Sequence, residues 1–100
     1  MKTSVAAGFA ALASLLATAA FAYDGEKLEK DAAIKMPQAV AIALKARPGT
    51  IPDRELEKEK GGSGLRYSFD IKNKGVTYEV GVDAKTGAVL ENGKEGKEPD

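Results

Sequence analysis

The sequence predicts an α+β domain in which one α-helix packs on a three- to four-stranded antiparallel β-meander. Three observations carry this. Apolar residues between Met36 and Arg47 recur at helical spacing. From Leu65 onward the period changes to two, over two successive runs. Pairing those runs gathers their apolar side chains on one face, which needs a cover that the Ala-rich helix can supply.

Taken in chain order, residues 1–22 read as a removable leader. Lys2 supplies the positive start, Val5 to Ala19 is apolar and uncharged, and Ala20-Phe21-Ala22 has the small-x-small form of a cleavage site. An uncleaved anchor is the competing reading, since the uncharged stretch is just long enough to span a bilayer. Its alanine content, with Gly8, Ser14 and Thr18 inside, favours cleavage before Tyr23. The expected location is therefore periplasmic or secreted, with no stable membrane anchor after cleavage. Residues 23–33 are polar, and are expected to be a flexible segment or at most a loose helical turn.

The helix is placed at Met36 to Arg47. Pro37 suits its first turn, where a missing N–H costs nothing. Met36, Val40, Ala43 and Leu44 form the stripe, widened by Ala39, Ile42 and Ala46. Pro48 disfavours helical geometry at Arg47 and ends the helix. Ile51 to Lys60 holds no helical apolar period and carries Pro52, so it is read as an edge strand with Leu56 inward and Glu55, Glu57 and Glu59 outward. Gly61 to Gly64 is a turn. Leu65, Tyr67, Phe69 and Ile71 then alternate with polar residues, as do Val76, Tyr78, Val80 and Val82. Side-chain parity rules out a three-residue loop between them and suggests a four-residue loop, Lys72 to Gly75, with Ile71 opposite Val76. Asp83 to Gly87 is a second turn, leading to a short strand from Ala88 to Glu91. Either Val89 or Leu90 faces the core, depending on the register of that turn. Residues 92–100 lack an apolar side chain to bury and are expected to be a disordered tail, so the folded domain is 34–91.

Composition excludes more than it names. The 100 residues hold 15 basic and 15 acidic side chains, without a Cys or a His. Disulfides, thiolate chemistry and the commonest acid–base catalyst are therefore absent. With Lys2 in the leader, there is no basic excess to hold a nucleic acid. The motifs favour structural roles. Glu55, Glu57 and Glu59 could share a hard cation, but Arg54, Lys58 and Lys60 interleave with them and a solvated face is the simpler reading. Gly61-Gly62-Ser63-Gly64 lacks the Lys-Ser/Thr that a phosphate-cradling loop requires. Asp83-x-x-Thr86-Gly87 lacks most of a calcium loop, so Asp83 is expected to accept N–H bonds within its own turn, with Gly87 at positive φ. Tyr67, Phe69 and Tyr78 could stack bases or sugars, but on a helix-covered face they are core. Ser63 and Ser68 have no histidine to activate them.

The order of these elements resembles the PepSY domain family. The resemblance rests on Ala39-Val-Ala-Ile-Ala-Leu-Lys45, Pro48-Gly49, the charged strand around Leu56, Tyr67-x-Phe69-x-Ile71, and the closing Tyr78-Glu-Val-x-Val82-Asp83-Ala-Lys-Thr-Gly-Ala-Val-Leu90. It departs where the family often has a Ser or Thr helix cap and this chain has Lys35-Met36-Pro37. The resemblance implies a non-catalytic module that inhibits or modulates a peptidase by protein–protein contact, or has a more general extracytoplasmic binding role. It brings no catalytic residue, metal ligand or cofactor. Strand addition at the sheet edge would make Arg54, Glu55, Leu56, Glu57 and Lys58 the partner-facing residues. The small core leaves room for a homodimer. The alternatives are a small-ligand sensor, with its cavity lined by Tyr67, Tyr78 and the helix alanines, or a structural envelope protein.

Overall fold

A computed structural model describes residues 22–96. The leader read at 1–22 and the end of the expected tail, from 97 on, therefore lie outside the described residues, Ala22 excepted. Helix α1 spans Met36–Ala46, and four strands follow: β1 Thr50–Lys58, β2 Leu65–Asn73, β3 Val76–Asp83 and β4 Val89–Lys94. They form one antiparallel sheet in the order β1-β2-β3-β4, so the fold is α+β. Among the described residues, no helix is long and apolar enough to cross a membrane.

The helix starts without a Ser or Thr cap. Gln38 substitutes, its Oε1 accepting the Lys35 N–H at 2.9 Å, which fills one half of a capping box. At the other end Arg47 is extended and donates its N–H to Ala43 O at 2.8 Å. Met36, Ala39 and Ala43 are buried. The two alanines have no exposed surface. Their small side chains set the helix close over Tyr67, Phe69, Ile71, Val80 and Val82, which share its core cluster. Each large aliphatic or aromatic side chain in that layer contributes about 1.5–3 kcal/mol of burial. Tyr67 keeps a polar partner there, its hydroxyl donating to Ile34 O at 2.7 Å.

The β2–β3 hairpin corrects the four-residue loop. Asn73 pairs with Val76, Ile71 with Tyr78, Phe69 with Val80 and Tyr67 with Val82. The loop is two residues, Lys74 and Gly75, at φ 52 and 79. Two positive φ angles are what a tight hairpin turn needs to match the strand twist. Two- and four-residue loops share one side-chain parity, so the same faces meet and the apolar layer is preserved.

A stretch read as flexible or a loose helical turn, and the start of the expected tail, both carry regular structure. Residues 23–33 carry a 3-10 helix at Glu26–Asp31. Downstream of it, Ala33 and Ile34 both donate N–H groups to Ala84 O at 2.9 Å. The final strand runs to Lys94, past the Asn92 where the tail was expected to begin. Asn92 is held by the helix end: its Oδ1 accepts from Arg47 Nε at 3.0 Å and its Nδ2 donates to Ala46 O at 3.4 Å. Arg47 also lies over the Tyr78 ring, 3.8 Å from the centroid. In β4 it is Leu90 that is half-buried, while Val89 is 43 % exposed.

Candidate functional site

The face of the sheet away from the helix is acidic. Strand alternation sends Leu56, Tyr67, Phe69 and Val80 to the helix side, and sends Asp53, Glu55, Glu57, Asp70 and Glu79 to the other. Asp53 stands directly opposite Asp70, and Asp70 opposite Glu79, so three acids cross three strands in one row. These residues, with Glu91 and the cation Arg66, line a groove of about 180 Å³.

The solvated stripe expected on β1 is thus part of a larger surface. Arg54 pairs with Phe69 and Lys58 with Leu65, so these bases stand on the helix side and do not interleave with the acids. Like charges directly opposite are unfavourable, and the carboxyls register it. The Glu55 carboxyl is raised above its ordinary range by burial, then by the charges of Glu57, Asp53, Asp24 and Asp70. Asp70 is raised by burial, then by Glu95 and Asp53. Ligand oxygens of Asp70, Glu79 and Glu95 lie within 4.8 Å of one another, an oxygen-only set of the kind hard cations take. Partial compensation is local. Ser68 Oγ donates to Glu57 Oε2 at 2.8 Å, and Arg66 reaches Glu91 Oε1 at 3.4 Å. Ionised carboxylates only accept hydrogen bonds, so this face suits donors such as Lys and Arg side chains.

Asp83 works differently. It is 1 % exposed and accepts N–H bonds from Lys85 at 2.8 Å and Thr86 at 3.2 Å. Gly87 follows at φ 84, as expected for that turn. Ser63 adds its N–H at 2.7 Å and its hydroxyl at 2.8 Å from twenty residues away. Burial alone would raise this carboxyl, but the bonds from Lys85, Ser63 and Thr86 outweigh it and hold the pKa at about 2. Asp83 is a structural tie between two turns. Sequence reasoning missed the Ser63 half, because a contact across twenty residues has no periodic signal. It also missed the row Asp53-Asp70-Glu79, whose signal was present in the parity of the three strands.

The proposed edge residues divide three ways. Leu56 points into the core at 2 % exposure. Glu55 and Glu57 join the acidic face, and Arg54 and Lys58 take the other side of the strand. The edge itself is partly covered: Leu56 N–H donates to Asp24 O at 2.9 Å, and Asp24 forms an isolated parallel bridge with Glu55. The aromatic trio lies on the helix side, with Tyr67 and Phe69 buried and Tyr78 half-buried beneath Arg47.

A packed helix-covered face and a polar open face define a small α+β module. The family model described as peptidase propeptide and YPEB domain matches residues 36–92. The chain belongs to this family, PepSY. Comparison with curated proteins gave no match, and neither did comparison with solved structures.

Proposed function

We propose that this protein is a non-catalytic binding module of the periplasm or cell exterior that modulates a peptidase by direct contact. The observation that carries this reading is the match to the PepSY family over residues 36–92. That stretch takes in the helix and nearly all of the sheet. The family's description associates it with peptidase propeptides, and the secretory leader read at 1–22 supports an extracytoplasmic partner. The acidic face supplies a contact surface for a basic region of that partner.

The small-ligand alternative is less well supported. Tyr67, Ala39 and Ala43 have no exposed surface and belong to one core cluster, so the space between helix and sheet is occupied by the protein itself.

The test is titration of the mature chain against secreted thermolysin-type metallopeptidases, following peptide hydrolysis. Saturable inhibition, or saturable protection of the peptidase from inactivation, is expected. Unchanged rates and lifetimes across the panel at large molar excess would overturn the reading.

A further inference from the structure

The Asp24–Gly25 segment sits on the outer edge of β1, at the strand proposed above to face a partner. Its grip is a backbone one. Asp24 O takes the Leu56 N–H at 2.9 Å. Gly25, at φ 89, passes so close that a Cβ built on it would fall on the Leu56 carbonyl oxygen. Only glycine permits that approach.

Other contacts of the segment are light. Its 3-10 helix buries no residue. Tyr23 and Leu28 pack only half-buried against the core cluster. The Tyr23 hydroxyl donates to the Glu29 carboxylate, a bond within the segment. Firm anchoring begins downstream, where Ala32 is 6 % exposed and Ala33 and Ile34 are tied to Ala84 O. Residues 23–31 are therefore a flap held on the β1 edge by a single bridge and anchored more firmly at Ala32 to Ile34. They form one isolated bridge with a strand nine residues long, whereas an added strand would pair along its length. The flap also brings Asp24 beside Glu55, setting acid against acid.

We infer that residues 23–31 are a displaceable guard, and that the β1 edge beneath them accepts an extended basic segment of a protein partner by strand addition. In an added strand, alternate side chains would stand about 4.5–5.5 Å from Asp53, Glu55 and Glu57. Lys or Arg at those positions exchanges the repulsion from Asp24 for attraction. Main-chain bonds hold the segment and the acid stripe selects it. This rests on the binding-module reading and specifies how that module would take its partner.

The experiment uses the mature chain, the variants Gly25→Val and Gly25→Ala, and a probe peptide of about eight residues alternating Lys and Val. A second peptide has Glu in place of each Lys. Amide hydrogen exchange should show faster exchange at Leu56 in both variants, with Tyr67 to Ile71 still protected. The Lys peptide should bind Gly25→Val about tenfold more tightly than the unsubstituted chain, because the competent state is no longer masked. Binding should restore protection at Leu56, and the Glu peptide should not bind. Unchanged exchange at Leu56 in both variants would overturn the guard. So would binding that leaves Leu56 unprotected, or equal binding of the two peptides. The two proposals fail separately. Peptide capture with Leu56 protection but no effect on any peptidase removes the peptidase reading alone. Peptidase modulation without Leu56 protection removes the guard alone.

Discussion

Strand β2 shows both faces of the sheet in one stretch of chain. Leu65, Tyr67, Phe69 and Ile71 are each at most 6 % exposed. Their neighbours Arg66, Ser68, Asp70 and Lys72 carry only polar or charged groups to the other side. The helix side is apolar and holds the fold by packing. The open side sets Asp70 between Asp53 and Glu79 and works against the fold. The difference teaches that stability and surface chemistry are divided by parity. One face is strong enough for the other to keep a repulsive arrangement.

Three substitutions probe that division. The largest effect is expected from Tyr67→Ala, which empties a fully buried site and leaves Ile34 O without its donor. A loss of about 3–5 kcal/mol is expected. A domain of this length holds only about 4–11 kcal/mol in all, so urea denaturation followed by circular dichroism should find the variant unfolded or close to it. A loss below about 1 kcal/mol would mean that the helix side is not the packed one.

Asp83→Ala comes next, since it removes a buried carboxylate that accepts from Ser63, Lys85 and Thr86 in part-buried bonds. A loss of about 2–3 kcal/mol is expected. Its pH signature is specific. The folded pKa lies below the unfolded value, so the contribution is complete above about pH 4 and is lost as pH falls toward about 2. Acid titration of stability should show this limb in the unsubstituted chain and not in the variant.

The smallest effect, of opposite sign, is expected from Asp70→Asn. Removing one charge from the acidic row should stabilise the protein by about 0.5 kcal/mol at pH 7. The raised carboxyls of Asp70 and Glu55 bind protons more readily in the folded state. They therefore add stability as pH falls through their folded pKa values, opposite to Asp83. Asp70→Asn should flatten that rise. A destabilised Asp70→Asn would mean that the acids are satisfied by one another's neighbours and that the open face is not under electrostatic strain.

The helix and the inward side chains of β2 and β3 were legible because burial imposes a period on sequence. What was missed is held by groups that impose none. The hairpin length escaped because parity cannot separate loops that differ by two residues. Lys74 at φ 52 decides it, a conformation that Lys seldom adopts. Segment 23–33 could be read only as flexible or as a loose helical turn, because its contacts with Leu56 and Ala84 are backbone bonds that leave no side-chain pattern. The end of β4 escaped because Asn92 is secured by polar contacts with the helix terminus. Of the candidate site, Glu55 and Glu57 were named from the sequence, but their continuation through Asp70 and Glu79 needed the register of three strands.

The alternating charges of β1 have a consequence for how the chain finds its fold. A slip of one residue against β2 would swing Glu55 and Glu57 into the layer of Tyr67 and Phe69 and expel Leu56 into water. Neighbouring registers are thereby made inaccessible during assembly, including those that a less charged strand would sample. The acids that strain the finished sheet thus serve as an alignment key while it forms.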